Sequence, residues 1–340
     1  MTPERFKKFC LAAAVLAAFA VPLVVHSPTY LHMLIMLFLY AYMTTTWNLV
    51  GGFAGVLPLG HSVFVGIGAY VSTMLWLQWG ISPWIGMFAG GILAAFVGVL
   101  IGLPTLKMRG AYFALSTMAF VEGMRVIVEN LDKVGPFVLN GPRGLNIPPI
   151  EHDSFAAFQF IDKQPYYYIV LVMLLLAVFI TWRVARSKMG YLLMAGGEEP
   201  DAAQALGANV TRLKVMAMAL SSFLTALAGT FIAQLTLFIY PKSVLTLDLS
   251  FELAFIALIG GRGSIAGPIL GALLLRPVTE VSRMYLSDSL PGLHLIILGV
   301  VLILVMLFQP RGLQEPLGRL FDRFVRRFGG GDKAAAEVDA

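Results

Sequence analysis

Residues 48–70 read NLVGGFAGVLPLGHSVFVGIGAY and contain six glycines, one proline and one histidine but no charged residue. Long apolar runs flank this stretch on both sides. Glycine has no Cβ, so it permits close backbone approach and unusual φ/ψ angles. A broken, glycine-rich backbone at membrane depth is tolerated only where it is buried in protein or lines a cavity. The stretch therefore predicts a helix break inside a membrane protein and is a candidate for part of a transport path.

The composition of the whole chain supports the membrane class. Of the 340 residues, 58% are hydrophobic and 13% are charged, whereas soluble domains carry about 25% charged residues. No Asp, Glu, Lys or Arg occurs between Phe9 and Leu106, which a multi-span membrane protein tolerates and a soluble protein does not. The positive charges lie in short loops and the C-terminal tail, as the positive-inside rule expects, so the basic balance indicates no nucleic-acid partner.

Apolar runs of about 20 residues indicate membrane spans, and the sequence predicts an all-α polytopic membrane protein with about ten transmembrane helices. A Met1–Phe9 head followed by an apolar run with Ala-Phe-Ala at 18–20 also fits a cleaved signal peptide, but a retained first span is favoured because so many spans follow. The third span follows directly on the glycine-rich break. The predicted spans cover residues 9–25, 31–50, the region ending near 77, 84–103, 111–130, 166–182, 215–237, 247–260, 265–281 and 293–308.

The polar segments divide the chain and orient it. The membrane domain is predicted to cover residues 1–310, with a Gly-, Pro- and Asn-rich exterior loop at 130–165. A cytoplasmic loop is expected at 184–213 and a basic, partly disordered cytoplasmic tail at 311–340. Cytoplasmic N- and C-termini place most lysines and arginines inside. Eight spans plus a re-entrant hairpin at 247–281 would also keep the tail inside and remain an alternative.

Ten spans divide into two five-helix halves of opposite orientation. Inverted halves are a common transporter design, with the path at their interface. The glycine-rich breaks at 51–60 and 260–267 fall one in each half. The sequence therefore suggests an inverted repeat.

Polar residues within the spans are candidates for function because they are costly in lipid. Asn48 and His61 are expected to face other helices or a cavity, and hydrogen-bonded packing is the more ordinary role for a histidine. Glu122 and Arg125 are three residues apart and can pair on one helical face, either as a structural ion pair or as part of a site. A stripe of charge at i, i+4 and i+7 is expected to face an aqueous vestibule or a partner, and consists of Arg276, Glu280 and Arg283.

Residues 197–215 read GEEPDAAQALGANVTRLKV. Pro200 suits the first turn of a helix, the acidic residues complement a helix N-terminus, and Gly207 is a helix stop. The sequence predicts a two-turn helix in the cytoplasmic loop. Such a helix can be a plain connector on the membrane surface, or it can dock into a groove of another protein.

Motifs for catalysis are missing from the full sequence. It contains no G-x-x-x-x-G-K-[ST], H-E-x-x-H, C-x-x-C or G-x-S-x-G pattern. Cys10 is the one cysteine, and the five histidines are scattered. The chain is therefore not expected to be an enzyme, and no cofactor or metal site is expected.

Several stretches together resemble the permease family of bacterial branched-chain amino acid ABC importers, of the LivM type. The resemblance covers residues 45–315. Pro58 and the Glu-Glu-Pro-Asp start of the loop helix depart from the usual pattern. The matching residues are Asn48, Gly52, Gly55, Leu59–His61, Phe64, Gly66, Gly68–Tyr70, Arg109–Gly110, Tyr112–Ala114, Thr117, Gly141–Leu145, Glu199, Ala202–Ala203, Gly207, Gly260–Ser264, Gly267–Pro268, Gly271–Ala272 and Pro310–Leu313.

The resemblance implies a multi-pass permease subunit in the bacterial inner membrane that moves branched-chain amino acids by alternating access. Implied partners are two ABC ATPase subunits, a second homologous LivH-type permease, a periplasmic substrate-binding protein, the amino-acid substrate and the lipid bilayer. The residues implied in coupling to the ATPase are Glu198, Glu199, Ala202, Ala203 and Gly207. The candidate path residues are Asn48, Gly52, Gly55, His61, Thr117 and Glu122. The alternative function is a gradient-driven secondary transporter or channel for small polar solutes.

Overall fold

The computed structural model describes residues 3–25, 27–108, 110–286, 293–309 and 312–319. Within these ranges the fold is helical, with four strands of two residues each. The helices are α1 (Pro3–Val24), α2 (Pro28–Asn48), α3 (Ser62–Trp79), α4 (Pro83–Thr105), α5 (Ala111–Asn130), α6 (Gln164–Ala185), α7 (Lys188–Glu198), α8 (Pro200–Ala205), α9 (Val210–Thr236), α10 (Pro241–Val244), α11 (Leu247–Gly260), α12 (Gly267–Leu286) and α13 (Leu293–Phe308). The strands are β1 (Lys133–Val134), β2 (Phe137–Val138), β3 (Leu145–Asn146) and β4 (Phe238–Ile239).

The long helices coincide with the apolar runs of the sequence, so the polytopic helical class is confirmed. In the described part of the chain, six helical segments are long and apolar enough to cross a membrane. The other predicted spans are also helical and correspond to α1, α3, α12 and α13. These four helices do not meet the same criteria of length, hydropathy and charge within the described residues. The six segments are Pro28–Phe53, Pro83–Thr105, Ala111–Asn130, Gln164–Ala185, Val210–Thr236 and Pro241–Gly260.

Helix ends follow local chemistry. Pro28 and Pro83 occupy the first turns of α2 and α4, where a missing N–H costs nothing. Gly80 ends α3 in the left-handed region at φ 64°, which glycine reaches without strain. Thr246 caps α11 by accepting a hydrogen bond at Oγ1 from the Leu249 N–H at 3.2 Å. These signals explain why the helix bounds lie close to the expected ones.

Helices α3, α4 and α9 form the tightest part of the bundle because glycines let their backbones meet. A Cβ on Gly68 would lie 1.9 Å from the Ala226 carbonyl oxygen of α9. A Cβ on Gly229 would lie 1.9 Å from the Val65 carbonyl oxygen of α3. Small residues at such crossings are the usual device for close helix packing in lipid, where hydrophobic burial supplies no driving force. Close helix packing is thus the role of these glycines.

Helix α2 packs against α6, α11 and α12 and forms a second layer of helices with them. Helix α1 lies on the outside of α6, where the Tyr167 hydroxyl donates to the Ala18 carbonyl at 2.7 Å. The Ala-Phe-Ala sequence at 18–20 therefore lies within a continuous helix that contacts the bundle. Retention of the first span stays a prediction.

The predicted exterior loop at 130–165 is ordered and lies at one end of the bundle. It contains the antiparallel β1–β2 hairpin and β3, which pairs with β4 after α9. The Trp84 indole N–H donates to the Phe155 carbonyl at 2.7 Å, and its ring stacks on Phe158 with ring centroids 4.2 Å apart. The loop is therefore fixed to the ends of α4 and α9.

The segment after α13 returns to the opposite end. The Leu313 N–H donates to the Ile259 carbonyl of α11 at 2.8 Å, and a Cβ on Gly312 would lie 2.5 Å from Gly261. Residues 314–319 are helical. The rest of the predicted disordered tail, 320–340, lies outside the described residues.

Gly68→Ala tests the packing of α3 on α9. The added methyl would meet the Ala226 carbonyl oxygen, and overpacking costs about 1–3 kcal/mol. We expect a lower thermal unfolding midpoint in detergent, followed by intrinsic fluorescence, and a loss of monodispersity on size exclusion.

The matched control is Gly123→Ala in α5, where a Cβ meets no atom within 4 Å. Because alanine favours helix, its midpoint should stay the same or rise. Equal midpoints for the two variants would contradict the packing role of Gly68.

Candidate functional site

The backbone between α2 and α3, here called the junction (residues 49–61), departs from the α-helix. Leu49–Phe53 form a π-helical turn, Gly55 has φ +67°, and α3 begins at Ser62. The Trp47 indole N–H donates to the Pro58 carbonyl at 2.8 Å, so the proline that interrupts the helix is itself anchored. The Trp47 ring covers Gly51 so closely that a Cβ on Gly51 would lie 2.0 Å from a ring carbon of Trp47. The expected helix break is therefore present and buried.

Asn48 joins the junction to the turn between α11 and α12, here called the α11–α12 turn (residues 261–266). Its side-chain amide donates to the Ser264 carbonyl at 2.7 Å and accepts from the Gly263 N–H at 2.9 Å. A Cβ on Gly52 would lie 2.0 Å from the Asn48 amide oxygen and 2.4 Å from the Gly263 nitrogen. The two glycine-rich breaks of the sequence are thus in direct contact.

His61 lies fully buried at the start of α3. Its Nε2 is 2.8 Å from the Ser221 hydroxyl, which in turn donates to the Thr46 carbonyl at 2.7 Å. Since the serine hydrogen points to Thr46, His61 Nε2 is the donor of the pair. The Nδ1 atom is buried with no hydrogen-bond partner among the described residues. His61 therefore packs in a hydrogen-bonded position between α2 and α9.

Thr117 fastens α5 to the junction. Its hydroxyl accepts from the Leu59 N–H at 3.0 Å and donates to the Ala114 carbonyl at 2.9 Å. A Cβ on Gly60 would lie 3.0 Å from the Thr117 carbonyl oxygen. Both the hydroxyl and the glycine are therefore needed for this contact.

Two serines that the sequence did not single out complete the network. The Ser250 hydroxyl of α11 accepts from the Ser62 N–H at 3.0 Å and donates to the Ser62 hydroxyl at 2.9 Å. Ser221 on α9 holds His61. A serine within an apolar helix can indicate a hydrogen bond to another helix. Serine side chains also bond to the backbone of their own helix, so the sequence alone could not identify Ser221 and Ser250 as contacts between helices.

The loop helix predicted near residue 200 is a pair of helices, α7 and α8. The Ser187 hydroxyl caps α7 by accepting from the Gly190 N–H at 3.2 Å. The α7 helix meets the junction backbone to backbone, because a Cβ on Gly55 would lie 2.7 Å from the Gly197 carbonyl oxygen and one on Gly197 would lie 2.9 Å from the Phe53 carbonyl oxygen. The junction thus connects the loop helices to the bundle.

The predicted coupling residues are divided between two sides of this pair. Ala203 is buried, whereas the exposed set is Glu198, Glu199, Ala202 and Gly207. Leu206 sits at the tip of α8 with 90% of its surface exposed. Sequence reasoning missed it because a leucine in a helix ordinarily points inward.

Glu122 lies away from the junction, on a partly exposed face of α5. The Arg125 guanidinium donates to Glu122 at 3.0 Å through Nε and to Glu129 at 2.9 Å through an η nitrogen. The exposed fractions of these three side chains range from 19% to 42%. The expected Glu122–Arg125 pairing is therefore present, extended by Glu129.

Arg276 does not face the vestibule or partner expected of its stripe. Its side chain is 6% exposed and donates to Glu252 of α11 at 2.6 Å and to Glu280 at 3.2 Å. The guanidinium carbon also lies 3.8 Å from the centre of the Tyr40 ring. A buried guanidinium is tolerated because two carboxylates compensate it. The side chains of Arg109 and Arg283 lie outside the described residues.

Among the residues that the structure describes, no group of three or more His, Cys, Asp or Glu lies close enough together to hold a metal ion. The polar groups of the junction bond mostly to one another. The arrangement suits mechanical connection between helices.

Comparison with known proteins gives a consistent result. A family described as the permease component of branched-chain amino acid transport systems matches residues 29–306. The LivM permease protein of the Escherichia coli K12 high-affinity branched-chain amino acid transport system is 29% identical over 328 residues, covering 90% of this chain and 75% of the relative. The Salmonella typhimurium LivM is 30% identical over 287 residues, covering 78% and 65%. The E. coli LivH permease protein is 26% identical over 297 residues, covering 82% and 91%. No solved structure matches the chain.

Asn48→Ala tests the contact between the two glycine-rich breaks. The variant leaves the Gly263 N–H and the Ser264 carbonyl without their partner, and an unsatisfied group costs about 1–3 kcal/mol when buried. We expect a lower unfolding midpoint and faster proteolysis at the α11–α12 turn.

Asn130→Ala is the control, because its side chain is exposed and, among the described residues, bonds to the Val126 carbonyl of its own helix. Unchanged proteolysis at 261–266 in the Asn48 variant would rule out this bridge.

Proposed function

Because the chain belongs to the permease-component family of branched-chain amino acid transport systems, we propose that it is the membrane subunit of an ATP-driven importer of branched-chain amino acids. It is a transport subunit rather than an enzyme. In this proposal it forms half of the translocation path with a second, LivH-like permease, while ABC ATPases and a periplasmic binding protein act from opposite sides. The LivM and LivH names of its relatives support a paired arrangement.

The contact between Gly55 and Gly197 carries this proposal. It joins α7 to the junction without an intervening side chain, so a displacement of the loop helices moves the start of α3 directly. Asn48, which precedes the junction, reaches the α11–α12 turn, and Leu59 within the junction donates to Thr117 of α5. A displacement of α7 and α8 would therefore be transmitted to helices in both halves of the chain.

The exposed side of α7 and α8 is the proposed docking surface for the ATPases. Leu206 is an exposed apolar side chain of the kind that fills a groove on another protein. Glu198, Glu199, Ala202 and Gly207 lie around it and are exposed. Ala203 packs inward and holds α8 in place, so its role is positioning.

Helix α5 is the proposed wall of the path. A row of large apolar side chains covers the exposed face of α4, as a lipid-facing helix requires. Helix α5 also exposes apolar side chains such as Leu115 and Val126, but Glu122, Arg125 and Glu129 are partly exposed beside them, and an ionic group facing lipid would be costly. We place this face of α5 against the second permease and an aqueous path.

The remaining candidate path residues have a different proposed role. Asn48, His61 and Thr117 are fully or almost fully buried, and their hydrogen bonds go to neighbouring helices. Gly52 and Gly55 allow the close contacts of the junction. We propose that this set shapes and moves the path, and that Glu122 alone among the six faces it.

Ten spans with both termini in the cytoplasm suit the contacts best. The α11–α12 turn meets Gly312, which follows α13. If α13 crosses the membrane, the α11–α12 turn must lie on the same side of the membrane as the C-terminal end of α13. A re-entrant hairpin that crosses only half of the membrane would not bring the turn to that side. The turn also lies beside the junction, which in turn contacts α7. We therefore place the junction, the turn and α7–α8 at the cytoplasmic side of the bacterial inner membrane, and the 130–165 loop outside.

An ATP-driven importer and a gradient-driven transporter predict different results for uptake into liposomes. With this chain, its permease partner, the ATPases and the binding protein, leucine uptake should require ATP and binding protein. The chain reconstituted alone should take up no leucine when a proton or sodium gradient is imposed. Gradient-driven uptake by the single chain would overturn the importer proposal.

Gly207→Arg tests the docking role of α8. Gly207 has φ +85° and open space around it, so arginine adds bulk and charge to the exposed surface. We expect transport and binding-protein-stimulated ATP hydrolysis to fall about tenfold or more, the ratio that loss of about 1.4 kcal/mol of contact energy produces.

Gly207→Ala is the control, since it carries the same positive-φ strain with little bulk. If the arginine variant matched the alanine variant in both assays, docking at this position would be excluded.

A further inference from the structure

A cavity of about 430 Å³ lies between α3 and α5 and has no part in the function proposed above. Ile67 and Val71 line it from α3, and Met124 and Val128 line it from α5. Leu93 of α4 and the β1–β2 hairpin close the remaining sides. Its size falls within the range of small-molecule sites, which is about 300–1,000 Å³.

The chemistry of the wall is almost purely hydrocarbon. Tyr70 is the one lining residue with a polar side-chain group. Only 4% of Tyr70 is exposed, and its hydroxyl is buried with no hydrogen-bond partner among the described residues. A buried hydroxyl without a partner is costly. The Tyr70 hydroxyl is buried away from the cavity, whose exposed wall is entirely apolar, so the cavity suits a purely hydrocarbon occupant.

The rim of the cavity faces the lipid side of the bundle. Leu93 and Ile127 are 44% and 51% exposed. Leu93 adjoins the apolar face of α4, on which Phe88, Ile92 and Phe96 are exposed. A hydrocarbon chain could pass from the bilayer into the cavity without crossing water.

We propose that the cavity binds one acyl chain of a membrane phospholipid. A zwitterionic amino acid does not fit, because its ammonium and carboxylate groups would find no polar or charged group on the cavity wall. A partner helix does not fit either, since a helix is about 10 Å across with its side chains. The lipid would sit between α3 and α5 and separate them at this level.

The test uses the assembled transporter in nanodiscs that contain phosphatidylethanolamine with a diazirine on one acyl chain. After illumination, adducts are mapped by peptide mass spectrometry. We expect adducts concentrated on Met74 and Met124, which face the cavity from α3 and α5. Adducts spread evenly over these helices and the exposed face of α4 would overturn the proposal.

Val71→Phe fills the cavity from α3 and should lower labelling at Met124 about tenfold, as expected if overpacking excludes the chain. Val128→Phe fills it from α5 and gives a second, independent variant if the first fails to fold. Leu100→Phe is the control, because it adds a ring to the exposed face of α4 outside the cavity, and it should leave labelling unchanged. Unchanged labelling in a folded cavity variant would refute the site.

Added leucine should not compete with labelling, and competition would assign the cavity to the transported solute instead. A diazirine fatty acid serves as the second probe. Labelling by the free acid but not by the phospholipid would overturn the choice of lipid. None of these readouts requires ATP hydrolysis, so they remain informative if the importer proposal fails.

Discussion

The backbone contact between Gly55 and Gly197 is the constraint on which the rest of the structure depends. No side chain separates the two segments, because a Cβ on Gly55 would collide with the Gly197 backbone and a Cβ on Gly197 would collide with the Phe53 carbonyl oxygen. A contact of this kind has little compliance, because protein interiors are close-packed and transmit strain. The loop helices can therefore act on the membrane helices directly. Gly55 also needs its left-handed conformation at φ +67°, which any larger residue would resist.

The polar residues around this contact explain why the junction can be rigid within an apolar bundle. Asn48, His61 and Thr117 each hold a group from a distant part of the chain. Breaking one of these bonds would leave a buried group unpaired, at a cost of about 1–3 kcal/mol. A solute that had to bond to these residues would first have to pay that cost, whereas the partly exposed carboxylate of Glu122 is available without it. This difference is the physical reason to separate the junction from the path.

The sequence was sufficient for the helices and insufficient for their contacts. Apolar run length, Pro28, Pro83 and Gly80 placed most helix bounds within a few residues, because those signals are local. The partner of Asn48 lies 215 residues away, and no periodicity reports such a distance. Arg276 was assigned to the surface because its own helix shows only a stripe of charge, and the compensating Glu252 belongs to another helix. The α7 helix was missed because glycines at 196 and 197 weaken the helical pattern, although the second of them makes the decisive contact.

The suggested repeat also changes when the contacts are considered. The breaks at 51–60 and 260–267 touch each other through Asn48 and Gly263, whereas inverted halves place equivalent segments at opposite sides of the membrane. If the chain has inverted halves, we propose 56–62 and 244–250 as the equivalent segments, because they share the pattern V-L-x-L-x-x-S. Their final serines, Ser62 and Ser250, bond to each other, as two equivalent residues beside a two-fold axis would. The counterpart of the junction is then the segment between α9 and α11, where Leu237 has φ 55° and its carbonyl accepts from the Ile147 N–H at 2.8 Å. One break thus meets the loop helices and the other meets the 130–165 loop. If the proposed ATPases and binding protein are its partners, each would act on a helix break of the same design, from opposite sides of the membrane.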